Sequence, residues 1–264
     1  MSTVDFITDL FCRVDEQMLD VPKHPQAKLH PSEIVTLALL FALKGVGPRV
    51  LYRWLVRDYR PLFPHLPHRT RLFRLFATHH AWADHFLAAP SVLGVADSFG
   101  IELRHPWREN RADQQIGGKM LSNHRWIIGA KLVYVVNQWG LVVGWDYASG
   151  EVPDNAFHAL INEFQDEMVI FTDTGFHAKA GDPPNMKPGT LWVKRGTWNG
   201  RMVVETVLSM LTTVVRLKKV THRTWRNVRA RLAFTMAVFN VLVQWDGIAI
   251  DDGNIHLSIA EFSL

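Results

Sequence analysis

Cysteine is nearly missing from this chain, with Cys12 the only one in 264 residues. A single thiol can form no internal disulfide and no cysteine-rich zinc site, which removes disulfide-stapled and zinc-finger architectures and fits a reducing compartment. Long apolar runs are missing too. The longest, residues 34–43 and 233–243, fall short of the roughly 20 residues that a bilayer-spanning helix needs. The opening residues Met1-Ser2-Thr3-Val4-Asp5 lack the basic start and apolar core of a secretory signal, so the expected location is the cytoplasm. The chain also has no Gly-x-x-x-x-Gly-Lys loop for a nucleotide, no Gly-x-Ser-x-Gly elbow and no His-Glu-x-x-His zinc helix. Gly117-Gly118-Lys119 suggests instead a flexible loop whose lysine can touch phosphate, and His79-His80 a half-exposed helical pair whose rings diverge.

What the chain has in excess is clustered positive charge. The formal net charge is +4, and the cations gather in two places. One holds Arg49, Arg53, Arg57, Arg60, Arg69, Arg71 and Arg74; the other spans residues 216–231. Arginine forks onto phosphate in pairs, and clustered cations bind a polyanion by releasing its counterions, so nucleic acid is the favoured partner over a merely solvated surface.

Three acids stand in segments suited to metal chemistry. Asp97 follows the apolar run Val92-Leu93-Gly94-Val95-Ala96, expected as a strand over residues 92–98 with the acid at its end. Asp173 repeats the pattern after Met168-Val169-Ile170-Phe171-Thr172, with Gly175 allowing the chain to turn. Glu205 belongs to a helix: Val203, Val204, Val207, Met210, Leu211 and Val214 make its apolar stripe, and Arg201, Glu205, Ser209 and Arg216 its polar face. Two aspartates and one glutamate offer the oxygen ligands that a pair of Mg²⁺ ions prefers. Taken singly, an aspartate at a strand end is a common turn residue and a glutamate on a polar face is usually solvated; it is their combination and order that point to a site.

Around Glu205 the order Trp198-Asn199-Gly200-Arg201-Met202-Val203-Val204-Glu205 resembles the Tyr-x2-Arg-x3-Glu-x6-Lys signature of bacterial insertion-sequence DDE transposases, with Trp198 in the tyrosine place. Asp97-Ser98-Phe99 and Asp173-Thr174-Gly175-Phe176 resemble the contexts of the family's two aspartates. The resemblance spans residues 10–244. It departs from the signature at Thr212, where the lysine would stand; the nearest cations are Arg216, Lys218 and Lys219.

The resemblance implies an α/β fold: a ribonuclease H-like mixed sheet, a three-strand meander plus parallel strands, behind an N-terminal all-helical region. The expected division is a helical DNA-binding region over 1–90, a catalytic domain over 91–250 and a tail over 251–264. In the first, helices are expected over 3–18, 31–43 and 49–59. The last two form a hairpin resembling a helix-turn-helix, with Arg53 and Arg57 on its outer face. Contact with DNA and a plain structural hairpin are both open readings. Strands are expected over 92–98, 126–137, 141–147, 169–173 and 191–194, with a helix over 153–164 before the fourth and the Glu205 helix after the fifth.

By the same resemblance, Asp97, Asp173 and Glu205 hold two Mg²⁺ ions, for which Mn²⁺ can substitute. One ion activates water and later a DNA 3′-hydroxyl, and the other stabilises the departing 3′-oxygen. Arg201 meets phosphate, and Trp198 packs on DNA near the cut. Lys131 is a further DNA candidate, with an edge-strand charge facing water as the equal alternative. Lys119 is another, and Trp107 and Trp126 could stack on unpaired bases. The partners implied are double-stranded DNA, as transposon ends and target, and a second copy of the chain when bound to DNA. Two rival functions share these acids: a nuclease without strand transfer, and a decayed copy that only binds DNA.

Overall fold

The computed structural model describes residues 2–108, 115–122, 124–189, 200–251 and 254–262. Its first helix, α1 (Thr3–Gln17), starts at a reciprocal cap in which the Ser2 hydroxyl accepts from the Asp5 amide and the Asp5 carboxylate accepts from the Ser2 amide. It buries Phe6, Ile7, Leu10 and Val14, one stripe at helical spacing. The second helix, α2 (Pro31–Lys44), is buried at every residue except Glu33 and Lys44. A helix apolar all round has to lie inside a core, and α2 does. Gly45, in the left-handed conformation at φ 63°, ends it.

Helix α3 (Pro48–Asp58) follows at 117° to α2, as a helix-turn-helix pair would be set. It buries Leu51 and Leu55 and exposes Arg49, Arg53 and Arg57. Helix α4 (Arg69–Thr78) and a 3₁₀ segment, His80–Phe86, complete the helical part. No helix among the described residues is long and apolar enough to cross a membrane.

The rest is mixed α/β around a six-stranded sheet. Its strands are β1 (Leu93–Arg104), β2 (Gly118–Ser122), β3 (Arg125–Asn137), β4 (Val142–Ser149), β5 (Val169–Thr172) and β6 (Met186–Pro188). β3 pairs antiparallel with β1 on one side and with β2 and β4 on the other; β5 runs parallel to β1, and β6 parallel to β5. The meander expected over 92–147 is present, with the tight turn closed by Gly140 donating to the Asn137 carbonyl.

Three expectations are corrected. The first strand does not stop at Ser98 but continues to Arg104, because Phe99, Ile101 and Leu103 keep the period of two and pack on the same face. Gly118 and Lys119 are not in a flexible loop; they begin β2, an extra strand between the first and second strands of the expected meander. The expected single helix over 153–164 is a 3₁₀ turn, Asp154–Phe157, followed by the short α5 (His158–Asn162). The expected strand over 191–194 lies outside the described residues, and β6 is the strand that pairs with β5.

Helix α6 (Gly200–Thr213) packs on one face of the sheet. Arg216 lies beyond its end, at φ 54°, and so is not part of the helix's polar face as expected. The chain then forms α7 (Trp225–Leu242), which has 14 of its 18 residues buried and packs against α2, α4 and the His80–Phe86 segment. A hairpin, β7 (Ile248–Asp251) and β8 (Asn254–Leu257), follows, and Ile259 returns to the core.

Apolar side chains from both sides of residue 90 share one cluster, which takes in Leu10, Leu40, Ile101, Tyr134, Val207 and Phe239. Two buried polar residues join its parts. The Asn240 amide on α7 accepts from the Val142 amide at 2.8 Å and donates to the Val142 and Phe86 carbonyls. The Arg231 guanidinium donates to the Phe41 carbonyl at 2.6 Å and the Val215 carbonyl at 3.0 Å, at the C-terminal ends of α2 and α6. Those helix ends carry partial negative charge, which is why a cation tolerates burial there. A smaller cluster on the other face of the sheet packs Ala96, Val133, Val135 and Ile170 against Phe157, Leu160, Ile161 and Phe176.

Candidate functional site

β1 and β5 pair in parallel from Leu93 opposite Val169 to Val95 opposite Phe171, and each aspartate, Asp97 and Asp173, lies two residues beyond that last pair. Asp97 lies within β1 rather than at its end, which corrects the expected position; Asp173 follows the last residue of β5. Asp97 is partly buried and Asp173 exposed.

The Asp97 carboxylate accepts the Ser98 amide at 2.7 Å, and across the strands its partner is Tyr134. Tyr134 is fully buried, and its hydroxyl donates to the Val204 carbonyl at 3.4 Å. Burial first, and then the Asp97 charge, push the Tyr134 phenol well above its usual range, so it stays a neutral donor. This tyrosine therefore bridges Asp97 to the residue before Glu205.

Asp173 is held by the turn that follows. It caps a 3₁₀ turn, Thr174–Phe176, accepting the Gly175 amide at 3.0 Å. Space at Gly175 is tight: a Cβ there would come within 2.9 Å of Asp154 Oδ2 and 3.3 Å of Asp173 Oδ1. Asp154 is thus a further acid beside Asp173, which in the sequence looks only like a helix cap.

The next residues are tied in as well. His177 Nδ1 and Asp182 Oδ2 are 2.6 Å apart, and Asp182 also accepts the Ala178 amide. Those two interactions, the amide first, hold the Asp182 carboxyl below its usual range. His158 Nε2 sits 2.6 Å from the Phe176 carbonyl, which can only accept, so this nitrogen carries the proton.

Lys131 is not on an edge strand. β3 has strands on both sides, and the Lys131 ammonium lies 2.9 Å from Asp154 Oδ1 with only 13% of its side chain exposed. The expected edge-strand charge facing water is thereby corrected to a largely buried ion pair with Asp154.

Glu205 is exposed on α6 and lines a cleft of about 350 Å³ with Phe99, Arg125, Ser209, Thr212 and Lys218. Phe99 is two residues from Asp97 on the same strand, hence on the same face. Thr212 turns its hydroxyl back to the Leu208 carbonyl at 2.8 Å. Arg201 stands one turn before Glu205 on α6, and Trp198 lies outside the described residues.

Of the other basic candidates, Arg53 and Arg57 are exposed on α3, Arg57 in a bidentate pair with its neighbour Asp58. Lys119 sits 5.3 Å over the Trp126 ring, which is 57% exposed, and Trp107 is 81% exposed. The second basic cluster is not all surface, since Arg231 is buried.

Among the described residues, no group of three or more His, Cys, Asp or Glu side chains is gathered closely enough to hold a metal ion. Carboxylates suit a hard divalent cation, and Glu205 approaches the face of Asp97 from α6. No family model matches the chain, and no curated protein matches it either.

Proposed function

We propose that this chain is a DNA transposase of the insertion-sequence type, which cuts transposon ends and joins them to target DNA by in-line phosphoryl transfer. One observation carries the reading: the parallel pairing of β1 with β5 runs up to Val95 and Phe171, each two residues before one of the two aspartates, and Asp97 shares its sheet face with the helix bearing Glu205. Strand-end loops and helix faces are where two-metal phosphoryl-transfer sites collect their carboxylates. The strand order gives further support. With β2 set aside, the sheet runs β4, β3, β1, β5, β6, the central-first-strand order of the ribonuclease H-like domain that the sequence resemblance implies.

In this reading Asp97 and Asp173 hold charge on neighbouring segments, and Tyr134 positions α6 over them through its bond to Val204. The loop pairs His177–Asp182 and Lys131–Asp154 keep the Asp173 turn in place. Glu205 adds the third carboxylate from the helix. Mg²⁺ ions bound by these acids would activate water or a 3′-hydroxyl and stabilise the departing oxygen. Arg201 and Trp198 would grip the DNA end, as the sequence resemblance implies, and the exposed arginines of α3 would take duplex DNA outside the site. Function would be intracellular, with two copies acting together on paired ends.

The test is cleavage and joining of a labelled duplex that carries the DNA flanking the coding sequence, in Mg²⁺, by wild type and by Asp97→Asn, Asp173→Asn and Glu205→Gln. Metal-dependent nicking and strand joining, lost in all three variants, are expected. Nicking without joining would replace the transposase reading with a nuclease, and full activity of any one variant would remove that acid from the site.

A further inference from the structure

The cleft beside Glu205 has an acidic end and a basic end, and the basic end is built by an anchor that the catalytic reading does not use. Glu102, near the far end of β1, is 4% exposed. Both its oxygens are engaged: Oε2 accepts from Arg125 Nη2 at 2.8 Å and Oε1 from Lys219 Nζ at 2.7 Å. Burial alone would raise this carboxyl, but the Lys219 hydrogen bond and the charges of Lys219, Arg125 and His105 outweigh it and hold the carboxyl below its usual range. It is therefore charged, and a buried charge needs its partners.

The backbone reinforces the anchor. The Glu102 amide donates to the Lys218 carbonyl at 3.1 Å, and the Val220 amide donates to the Glu102 carbonyl at 2.9 Å. Residues 218–220 are thereby bound alongside β1 as a short parallel bridge. Lys219 turns to Glu102, and Lys218 turns the other way, into the cleft that it lines with Arg125, Ser122, Ser209 and Thr212.

Arg125 has five N–H donors in a fixed fork. Its bond to Glu102 fixes the guanidinium while the side chain stays 57% exposed, leaving donors for a ligand in the cleft. Two cations and the hydroxyls of Ser122 and Ser209 then face one space, which is the donor set of a phosphate site.

The sequence signature would put a lysine where Thr212 stands. Threonine supplies no charge, and its hydroxyl is spent on its own helix. Arg216 does not compensate, because its side chain packs against Gly45, where a Cβ would lie 2.8 Å from the Arg216 Cβ. Lys219 is committed to Glu102. Lys218 is the one of the three that lines the cleft with Thr212.

We infer that Lys218 and Arg125, held in place by Glu102, bind a backbone phosphodiester of the nucleic acid at the end of this cleft away from Glu205. The inference rests on the nucleic-acid reading of the substrate and adds residues that the sequence signature does not contain. A strand whose reacting phosphate lies at the acids carries further phosphates along its length, and this cleft would receive one of them. Such a contact is independent of base sequence.

The experiment is titration of a labelled mixed-sequence duplex with the intact protein at several salt concentrations. It compares wild type, Lys218→Ala, Arg125→Ala, Arg125→Lys, and Lys23→Ala as a surface control remote from the cleft. Each cleft alanine is expected to flatten the slope of log affinity against log salt by about one unit. Arg125→Lys keeps the charge and should retain most of the slope, which separates a phosphate contact from damage to the Glu102 anchor. Slopes for both cleft alanines equal to that of Lys23→Ala would overturn the inference, and so would a wild type that binds no duplex. If the slopes fall but wild type neither nicks nor joins in Mg²⁺, the cleft stands and the transposase reading falls. If the slopes hold while acid-dependent cleavage is seen, the reverse is true.

Discussion

The α2–α7 core and the acid-bearing, solvent-facing edge of the candidate site are built on opposite principles. Around α2 and α7 nearly every side chain is buried, and the polar Asn240 and Arg231 bond to backbone. At the edge, Asp173 and Glu205 are exposed, and Asp97 is only partly covered. The first region specifies one packing and the second holds charge within reach of solvent and ligand. A side chain in the core is therefore expected to matter for stability, and an acid at the edge for chemistry alone.

The sharpest way to break this contrast is to neutralise the acids. Asp97→Asn, Asp173→Asn and Glu205→Gln nearly preserve shape, so activity is expected to fall by orders of magnitude while thermal unfolding stays close to wild type. A large drop in melting temperature for Asp173→Asn or Glu205→Gln would show that the edge is structural after all.

Arg231→Met is the converse. It removes the side-chain donor from the Val215 carbonyl and leaves the Phe41 carbonyl with only the Gly45 amide, and a loss of about 3 kcal/mol is expected, read by denaturant unfolding. Burial also lowers the Arg231 pKa, to about 10, and the side chain remains charged at neutral pH. A stability equal to wild type would mean that water satisfies those carbonyls as well as arginine does.

His222 sets a pH window for the same core. It packs edge-on to Phe41, and burial, followed by the Arg231 charge, lowers its pKa from 6.5 to about 4. The unfolded chain then binds the proton more readily than the folded one, so stability is held above pH 6.5 and lost as pH falls toward about 4. The loss attributable to this residue is up to about 3 kcal/mol. His222→Gln should flatten the stability profile across that window, and an unchanged profile would place the acid sensitivity elsewhere.

Smaller effects probe the contacts with DNA. If the α3 arginines meet phosphate, Arg53→Ala should lower the salt slope of duplex binding by about one unit. An unchanged slope would leave the α2–α3 pair purely structural. The smallest change is expected from Thr212→Lys: Lys218 already supplies charge to that cleft, so end binding should tighten severalfold at most. A loss of cleavage would mean that a longer side chain at position 212 blocks the cleft.

Much of the framework was legible because local signals were strong. Pro31 at a helix start, Gly45 after its end and the Asn137–Gly140 turn each fix a boundary through neighbours a few residues away. Helix α7 was not, since a segment apolar on every side has no period to read, and its basic residues suggested surface rather than the burial found for Arg231. Strand β2 was missed for a related reason: Gly117-Gly118 signals a turn, and only pairing with β3 makes the following residues a strand.

The sequence by itself determined which residues carry charge, the order of most helices and strands, and the spacing that puts Glu205 and Thr212 on one side of a helix. Tertiary structure decided which of them meet. Parallel pairing of β1 with β5 sets the segments that carry Asp97 and Asp173 next to each other, and Tyr134, opposite Asp97, ties β3 to α6. Pairing at Glu102 sends Lys219 one way and Lys218 the other. Lys131, a free cation in the sequence, becomes a largely buried partner of Asp154. Local propensity acts over a few residues, whereas these meetings join positions far apart in the chain, whose encounter depends on strand register and core packing as a whole.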